Sequence, residues 1–405
     1  MSNDTTNTDL PANLGFNQAV EDFLKSNFSF KYNVITCKTE GKMLNSEVYN
    51  ELNDFEMNSL HRLLSINNIN CSISKLRNLL CSNFVTQYNP VKDYLNSLPQ
   101  YDGSQDHISD LAGTVETTNP ELWKKYLMKW IVAWAASLAD ENIINHTVLV
   151  LNGGQGPGKS TWLSKLVPKV LNKYVYAGTI NPDNKDTLVY LSECVLINLD
   201  EFDNMNRTQL GGTKELITKE KVKIRRPYGH SSENLPRRAS FVASVNQQEF
   251  LSDVTGNRRF LCFETSKIDY QHEIDMDLVF GQALYLYKSG FRFWLDMADI
   301  EEINRSNEKF CSMSIEEEAL LTYYEVCELD DNASFMTNTE ILVSLGRDMK
   351  LPINQGAKKR LGAALAKYKF CRVKRKGRAV YAVKEKHAYP TACLYKDLIK
   401  SEDAA

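Results

Sequence analysis

The chain has no apolar run approaching the roughly 18–20 residues that a bilayer span requires, so no membrane segment is expected. It has no C-x-x-C pair either. Its nine cysteines (Cys37, Cys71, Cys81, Cys194, Cys262, Cys311, Cys327, Cys371 and Cys393) are odd in number and unpaired in spacing, which argues against a disulfide framework and against a zinc site. That usage fits a reducing cytoplasm. The six histidines show no metal-ligand spacing. Positive charge is not in excess: 48 Lys and Arg face 51 Asp and Glu, a net charge of −3, so any nucleic-acid surface has to be local. The opening MSNDTTNTDLPANLGF is polar and acidic, unlike a signal peptide, and residues 1–15 are expected to be disordered. No internal repeat is visible. What remains is an ordinary globular composition, 43% hydrophobic and 24% charged, over a length of 405 residues that fits two or three domains.

Against this background one segment stands out. Val148 to Leu163 reads VLVLNGGQGPGKSTWL. Four apolar residues form a buried strand, a glycine-rich loop follows, and a helix begins. The loop fits the phosphate-cradling pattern G-x-x-x-x-G-K-[ST], anchored on Gly153, Gly158, Lys159 and Ser160. Glycines let the backbone curl so that successive N–H groups face an anion, and the helix offers its positive end to the same charge. Gly153, Gly156, Gly158, Lys159, Ser160 and Thr161 are therefore the predicted nucleotide-binding set. Lys159 would reach the β- and γ-phosphates of ATP and Ser160 would ligate Mg²⁺.

A second apolar strand, Val195 to Leu199, ends in Asp200-Glu201. Hydrolysis needs one carboxylate for the metal and one to align or deprotonate the attacking water. We assign Asp200 to the metal and Glu201 to the water, with Asp203 a weaker candidate for either. A third strand, Ser240 to Val245, ends in Asn246, placed to contact the γ-phosphate or the attacking water. Thr255-Gly256-Asn257 then introduces Arg258-Arg259. Guanidinium is always charged and binds phosphate bidentately, so one of the two is a candidate trans-acting finger that stabilises a neighbouring subunit's transition state. The catalytic set is thus Lys159, Asp200, Glu201, Asn246, Arg258 and Arg259, with Ser160 and Asp200 on the metal.

Basic residues cluster twice. The first cluster, Ile217 to Arg238, includes Lys219 and alternates Lys221 and Lys223 with Val222 and Ile224, a strand with one basic face that doubles back at Pro227-Tyr228-Gly229-His230. It reads as a hairpin that contacts nucleic-acid backbone, or as an edge strand protected by lysines. Arg225 and Arg226 could instead serve a neighbouring subunit or the nucleotide. The second cluster is C-terminal. A helix from Thr337 to Met349, capped by Thr337 or Asn338, is followed by a helix from Gly356 to Tyr368 and by a hairpin turning at Lys376-Gly377. Lys358, Lys359, Arg360, Arg372, Lys374, Arg375, Lys376 and Arg378 make this a DNA-binding candidate resembling a winged helix. From Lys358 to Lys386 the only acidic residue is Glu385.

The ordered series GGQGPGKST, NLDEFD, ITKEKVKIRRPYG and FVASVNQQEFLSDVTGNRRF resembles the virulence-associated protein E family, related to superfamily 3 helicases and poxvirus-type helicase-primases within the AAA+ ATPases. YLNSLPQYDGSQDHISDLA, just upstream, is similar to the opening of that family's domain. The resemblance covers residues 93–310. It implies a ring, usually of six subunits, with ATP sites at the interfaces. Lys159 and Ser160 match its phosphate loop, Asp200 and Glu201 its acidic pair, Asn246 its sensor and Arg258 or Arg259 its trans arginine. Lys221 and Lys223 fall where it places a pore hairpin on single-stranded DNA. It implies replication of a phage, phage satellite or mobile element. Many relatives carry an upstream primase module; no primase metal motif precedes the ATPase region here, so priming by this chain is not expected, and whether a separate primase or replication protein is a partner stays open.

The expected architecture is α/β: a P-loop AAA+ parallel-sheet core over residues 96–313, a mostly helical N-terminal accessory region over 16–95, an acidic helical linker over 314–330, a winged-helix unit over 331–388 and a tail over 389–405. The long helix from Pro120 to Ala139 carries Trp123, Tyr126, Trp130 and Trp134 on one face, expected to pack on the core. The expected function is an ATP- and Mg²⁺-dependent helicase or translocase on single-stranded and duplex DNA. The rivals are an ATP-driven initiator or loader without processive unwinding, and a DNA-binding protein that uses ATP only as a switch. The intact Asp200-Glu201 pair argues against the switch.

Overall fold

The computed structural model describes residues 12–386 apart from 157, 183, 201, 203, 204, 206, 225–231, 252–256, 328, 330–332 and 350. Glu201, Asp203, Arg225, Arg226 and the tail after residue 386 therefore lie outside the described residues. The chain divides into two compact units. The first runs to Lys309, less a short segment that begins at Glu249; the second comprises that segment and the chain from Phe310 onward.

The first unit opens with helix Ala12–Asn27 and strands β1 (Phe28–Asn33), β2 (Lys38–Met43) and β3 (Asn50–Glu51). Helices Asp54–Ile66 and Ile73–Leu80 follow, then β4 (Thr86–Tyr88). These strands form one sheet in the order β3-β2-β1-β4. The region is mostly helical by residue number, as expected, but its helices accompany a four-stranded sheet that the sequence does not announce. The reason lies in β2, whose sequence KTEGKM has no alternating apolar face. Its middle residues are buried by hydrogen bonds rather than by hydropathy. Thr39 Oγ1 donates to Leu80 O at 2.7 Å. The Glu40 carboxylate accepts from Lys173 Nζ at 2.8 Å and from the Tyr88 hydroxyl at 2.6 Å. Burial pushes the Glu40 carboxyl up, but hydrogen bonds from Lys173, Tyr88 and Asn33 outweigh it and lower the group to about 2. Asn33 Nδ2 also donates to the Tyr174 hydroxyl at 2.8 Å. This buried polar network ties the N-terminal sheet to the segment Lys169–Tyr174 of the larger domain.

The larger domain is built on six strands: β5 (Val115–Thr117), β6 (Val148–Asn152), β7 (Val175–Ala177), β8 (Leu196–Leu199), β11 (Ser240–Val245) and β12 (Phe260–Ile268), with a separate hairpin of β9 (Lys221–Ile224) and β10 (Glu233–Pro236). The sheet order is β5-β12-β6-β11-β8-β7. All neighbours run parallel except β5, which pairs antiparallel with the far end of β12. Residues of β6, β8 and β11 are buried throughout, as the unbroken apolar runs require of strands covered on both faces. Helix Pro120–Ala139 starts with proline at its first turn and Asn119 capping Leu122 N. Trp123, Tyr126, Trp130 and Trp134 are all buried, as the sequence predicts, in a core shared with Val279, Phe280 and Ala283 of helix Met276–Lys288. The indole N–H groups find carbonyl partners, Trp123 on Ala112 and Trp134 on Val195, both at 2.9 Å.

The second unit contains helix Ile315–Tyr323, β13 (Tyr324–Val326), β14 (Ser334–Met336), helices Asn338–Met349 and Gln355–Lys367, and the hairpin β15 (Arg372–Arg375) and β16 (Arg378–Glu385). β16 pairs with β13, β14 and β15. Thr337 makes the capping box of the first of these helix pairs: its Oγ1 accepts from Glu340 N and the Glu340 carboxylate accepts from Thr337 N. The hairpin turns at Lys376 and Gly377, both at positive φ, 46° and 80°. The acidic helix expected as a linker belongs to this unit's core, to which it contributes Ala319 and Leu320. Its charges explain why. Glu316 holds Arg360 in a two-pronged pair at 2.6 and 2.8 Å, and Glu317 binds Lys367 at 2.7 Å. Arg360, expected on DNA, is thus spent on the fold.

Candidate functional site

β6 ends at the sheet's carboxyl edge and delivers Gly153 to a loop that closes on helix Lys159–Lys165. Gly156 and Gly158 sit at φ of 101° and 85°, a region that any Cβ would strain, and Gly158 is the residue before the helix. Gly153 is required for a second reason: a Cβ there would stand 2.7 Å from Thr265 Oγ1. At Gly158 it would meet the Tyr270 side chain at 2.3 Å.

Lys159 is only 5% exposed. Its ammonium donates to Gly153 O at 2.8 Å, to Gly154 O at 2.7 Å and to Asn246 Oδ1 at 2.9 Å. The charge is therefore held inside the loop's concavity and joined to the residue at the end of β11. This junction follows from sheet order. β11 lies between β6 and β8, so Asn246 and Ser244 project between the glycine loop and Asp200. Ser244 Oγ lies 3.2 Å from Ser160 Oγ and donates to Asp200 Oδ1 at 3.4 Å. Ser160, Ser244 and Asp200 form a row of oxygens, the donor chemistry of a hard cation such as Mg²⁺. Among the described residues no group of three or more His, Cys, Asp or Glu is placed to hold a metal. The structure thus brings Lys159, Ser160, Asp200 and Asn246 together.

Arg258 and Arg259 are not part of this cluster. β12 pairs with β6 in parallel register, Phe260 with Val148 and Glu264 with Asn152. The arginines precede Phe260 and so lie at the amino edge of the sheet. At about 3.3 Å per residue, the length of β6 alone puts them at least ~13 Å from the loop of the same chain. Arg258 is exposed; Arg259 is half-buried, its guanidinium held below its ordinary value by burial and by Arg258. Both line a cleft of about 370 Å³ with Trp130, His146, Thr218 and Trp294.

On the basic hairpin, Lys221 and Lys223 are exposed while Val222 and Ile224 are buried, the alternation read from sequence. The tip between β9 and β10 lies outside the described residues. Lys219 pairs with Glu215 one helical turn away, at 3.3 Å. In the second unit Arg372, Lys374, Arg375, Lys376 and Arg378 are all exposed along β15 and the turn, and the Arg375 guanidinium stacks 3.2 Å from the Phe335 ring centroid. Lys358 is half-buried and Lys359 exposed at the start of helix Gln355–Lys367.

The model of the virulence-associated protein E-like domain family matches residues 95–312, more than half of the chain. The chain belongs to this family. Every residue of the glycine loop, the Lys159–Asn246 contact, the Asp200 row and the arginine pair falls within the family span, whereas the N-terminal sheet and the basic C-terminal unit lie outside it. No curated protein matches the chain. Among solved structures it is similar to the apo structure of the NrS-1 C terminal region (305-718), at 14% identity and a TM-score of 0.46, with 91% of this chain and 98% of that chain covered. A second apo structure of the same region, the A form, matches at 14% identity and a TM-score of 0.44 over the same shares.

Sequence reasoning missed three residues of this domain. Ser244 was recoverable from alternation, since it sits two residues before Asn246 on the same face of β11. Arg237 gave no signal. It is 1% exposed and ties two segments together, donating to Ile217 O at 2.6 Å and to Asn145 O at 3.1 Å. Tyr270 gave none either, because nothing in its neighbourhood marks a residue that lies against the glycine loop.

Proposed function

We propose that the chain is an AAA+ ATPase of the superfamily 3-like type that works as a ring, six subunits in the form its family resemblance implies, and moves on single-stranded DNA during replication of a phage or mobile element. The observation that carries this reading is the opposition of two half-sites on one sheet. Lys159, Ser160, Asp200 and Asn246 occupy the carboxyl edge, and Arg258 and Arg259 occupy the other. Such a split site is complete only when a second copy presents its arginines to the first copy's loop, which calls for a head-to-tail closed arrangement.

In this reading the glycine loop and Lys159 bind and orient the phosphates of ATP. Ser160 and Asp200 would hold Mg²⁺, which when bound neutralises charge on the phosphate oxygens. Glu201 takes the proton of the attacking water, and Asn246, already bonded to Lys159, couples the γ-phosphate position to β11. Lys221 and Lys223 contact the backbone of the DNA strand. The second unit, read as a winged helix, places helix Gln355–Lys367 and the wing residues Arg372, Lys374, Arg375, Lys376 and Arg378 on duplex phosphates. Lys358 and Lys359 add to the same field.

The reading is tested by steady-state ATP hydrolysis with increasing single-stranded DNA. Turnover should rise severalfold and saturate, with Lys221→Ala/Lys223→Ala removing the stimulation while leaving hydrolysis without DNA intact. Turnover that ignores DNA would favour an initiator or loader that spends ATP on assembly.

A further inference from the structure

Tyr270 is a large side chain laid directly against the glycine loop that the ATPase reading leaves without a role. Its Cβ, Cγ and Cδ1 lie 2.3–2.8 Å from where a Gly158 Cβ would stand, yet 40% of the residue remains exposed. The turn that carries it is fixed from below. Lys165 Nζ, on the helix that follows the loop, donates to His272 O at 3.2 Å, and the buried His272 ring packs edge-on against Trp162 of the same helix. Asp269 N donates to Thr114 O at 2.8 Å, and Trp162 Nε1 donates to Thr114 Oγ1 at 2.7 Å. An exposed aromatic side chain is thus held in place beside the helix start.

A cavity of about 430 Å³ adjoins this turn, bounded by Ser109, Asp110, Thr114, Glu116, Lys267 and Asp269. That volume is within the roughly 300–1,000 Å³ usual for small-molecule sites. We propose that Tyr270 and this cavity form the nucleobase pocket of the nucleoside triphosphate site, the tyrosine ring stacking on the base and the cavity's carboxylates accepting from the base's N–H donors. The proposal rests on the reading of the glycine loop as a triphosphate site and adds the part of the ligand that the loop does not touch. A ring offers its π-face to any base, so Tyr270 supplies affinity. The polar wall, with Asp110, Glu116 and Asp269 as acceptors and Lys267 as a donor, supplies the choice among bases. The arrangement also gives Gly158 a second reason to be glycine: a side chain there would displace the ring on which the base rests.

The test compares ATP with inorganic tripolyphosphate, which has the phosphates but no base. Tyr270→Ala should raise the KM for ATP on the order of tenfold or more, the range of base stacking on an aromatic side chain, with the change falling on KM rather than kcat. The concentration of tripolyphosphate that inhibits hydrolysis by half should stay as in the wild type. Tyr270→Phe, which keeps the ring, should restore the wild-type KM. An unchanged KM in Tyr270→Ala overturns the proposal. So does an equal loss of ATP and tripolyphosphate binding, because the side chain would then be shaping the loop rather than holding the base. Failure of the underlying reading looks different: Lys159→Ala would leave binding of both ligands intact.

Discussion

Lys159→Ala should lower ATP turnover at least about a hundredfold, the scale on which removal of a single charge-stabilising donor acts, without unfolding the chain. The reasoning starts from burial. An ammonium that is 5% exposed is costly unless its donors are used, and here they meet Gly153 O, Gly154 O and Asn246 Oδ1. Those acceptors belong to a loop and a strand end that open toward solvent, since Gly154 and Asn246 are exposed. The charge is therefore preorganised at the mouth of the loop and not sealed in the core. Removing it leaves two carbonyls that water can reach, a modest loss of stability, but takes away the group that in the proposed ATPase would compensate γ-phosphate charge as the bond breaks. Lys159→Met, which keeps the aliphatic stem, should be as inactive, and its melting temperature should be closer to the wild type. The measurement is phosphate release at saturating ATP, with thermal unfolding of each variant alongside. Unaltered turnover in either variant would remove the glycine loop from the reaction.

The second large effect should appear only in mixtures. Arg258→Ala/Arg259→Ala should hydrolyse ATP as poorly as Lys159→Ala, and combining the two inactive proteins should restore activity. The register of β12 on β6 is the reason. Phe260 opposite Val148 places the arginines at the edge of the sheet remote from Lys159, beyond the reach of a side chain in the same subunit. In a mixed ring, about a quarter of interfaces would join an intact loop to an intact arginine pair, half times half under random assembly, and those sites should work. Recovery toward that fraction at equimolar mixing, read as phosphate release, supports a site shared between subunits. A mixture no more active than its components would assign the arginines to the fold of their own chain. The half-buried Arg259, which lines the cleft beside Trp294, would be the first suspect.

How much of this was legible in the sequence depends on which force holds each piece. The loop and strands of the central sheet could be read because they are built from hydrophobic runs and glycine spacing, signals that a linear sequence carries directly. Trp123, Tyr126, Trp130 and Trp134 were legible as one helix face for the same reason. The hairpin turn at Lys376-Gly377 was legible from turn chemistry. β2 was not, because Thr39 and Glu40 are buried through partners as remote as Leu80 and Lys173. The acidic helix Ile315–Tyr323 reads as a solvated linker until Arg360 and Lys367 are seen across from Glu316 and Glu317. At the candidate site, Asp200, Asn246 and Lys159 could be named, but their connection through Ser244 depends on β11 lying between β6 and β8, which strand sequence does not dictate. Arg258 and Arg259 could be named as a pair, while their placement on the opposite edge is a matter of register. Tyr270 depends on a turn whose position is set by Lys165 and His272.

The most direct test of the account is strand displacement on a forked duplex with a single-stranded tail, followed in real time with ATP and Mg²⁺. The account predicts that the wild-type chain releases the strand, that the rate follows ATP hydrolysis, and that Lys159→Ala releases nothing. Brisk hydrolysis stimulated by DNA with no strand released, on tails of either polarity, would contradict it and leave a machine that remodels or loads without unwinding.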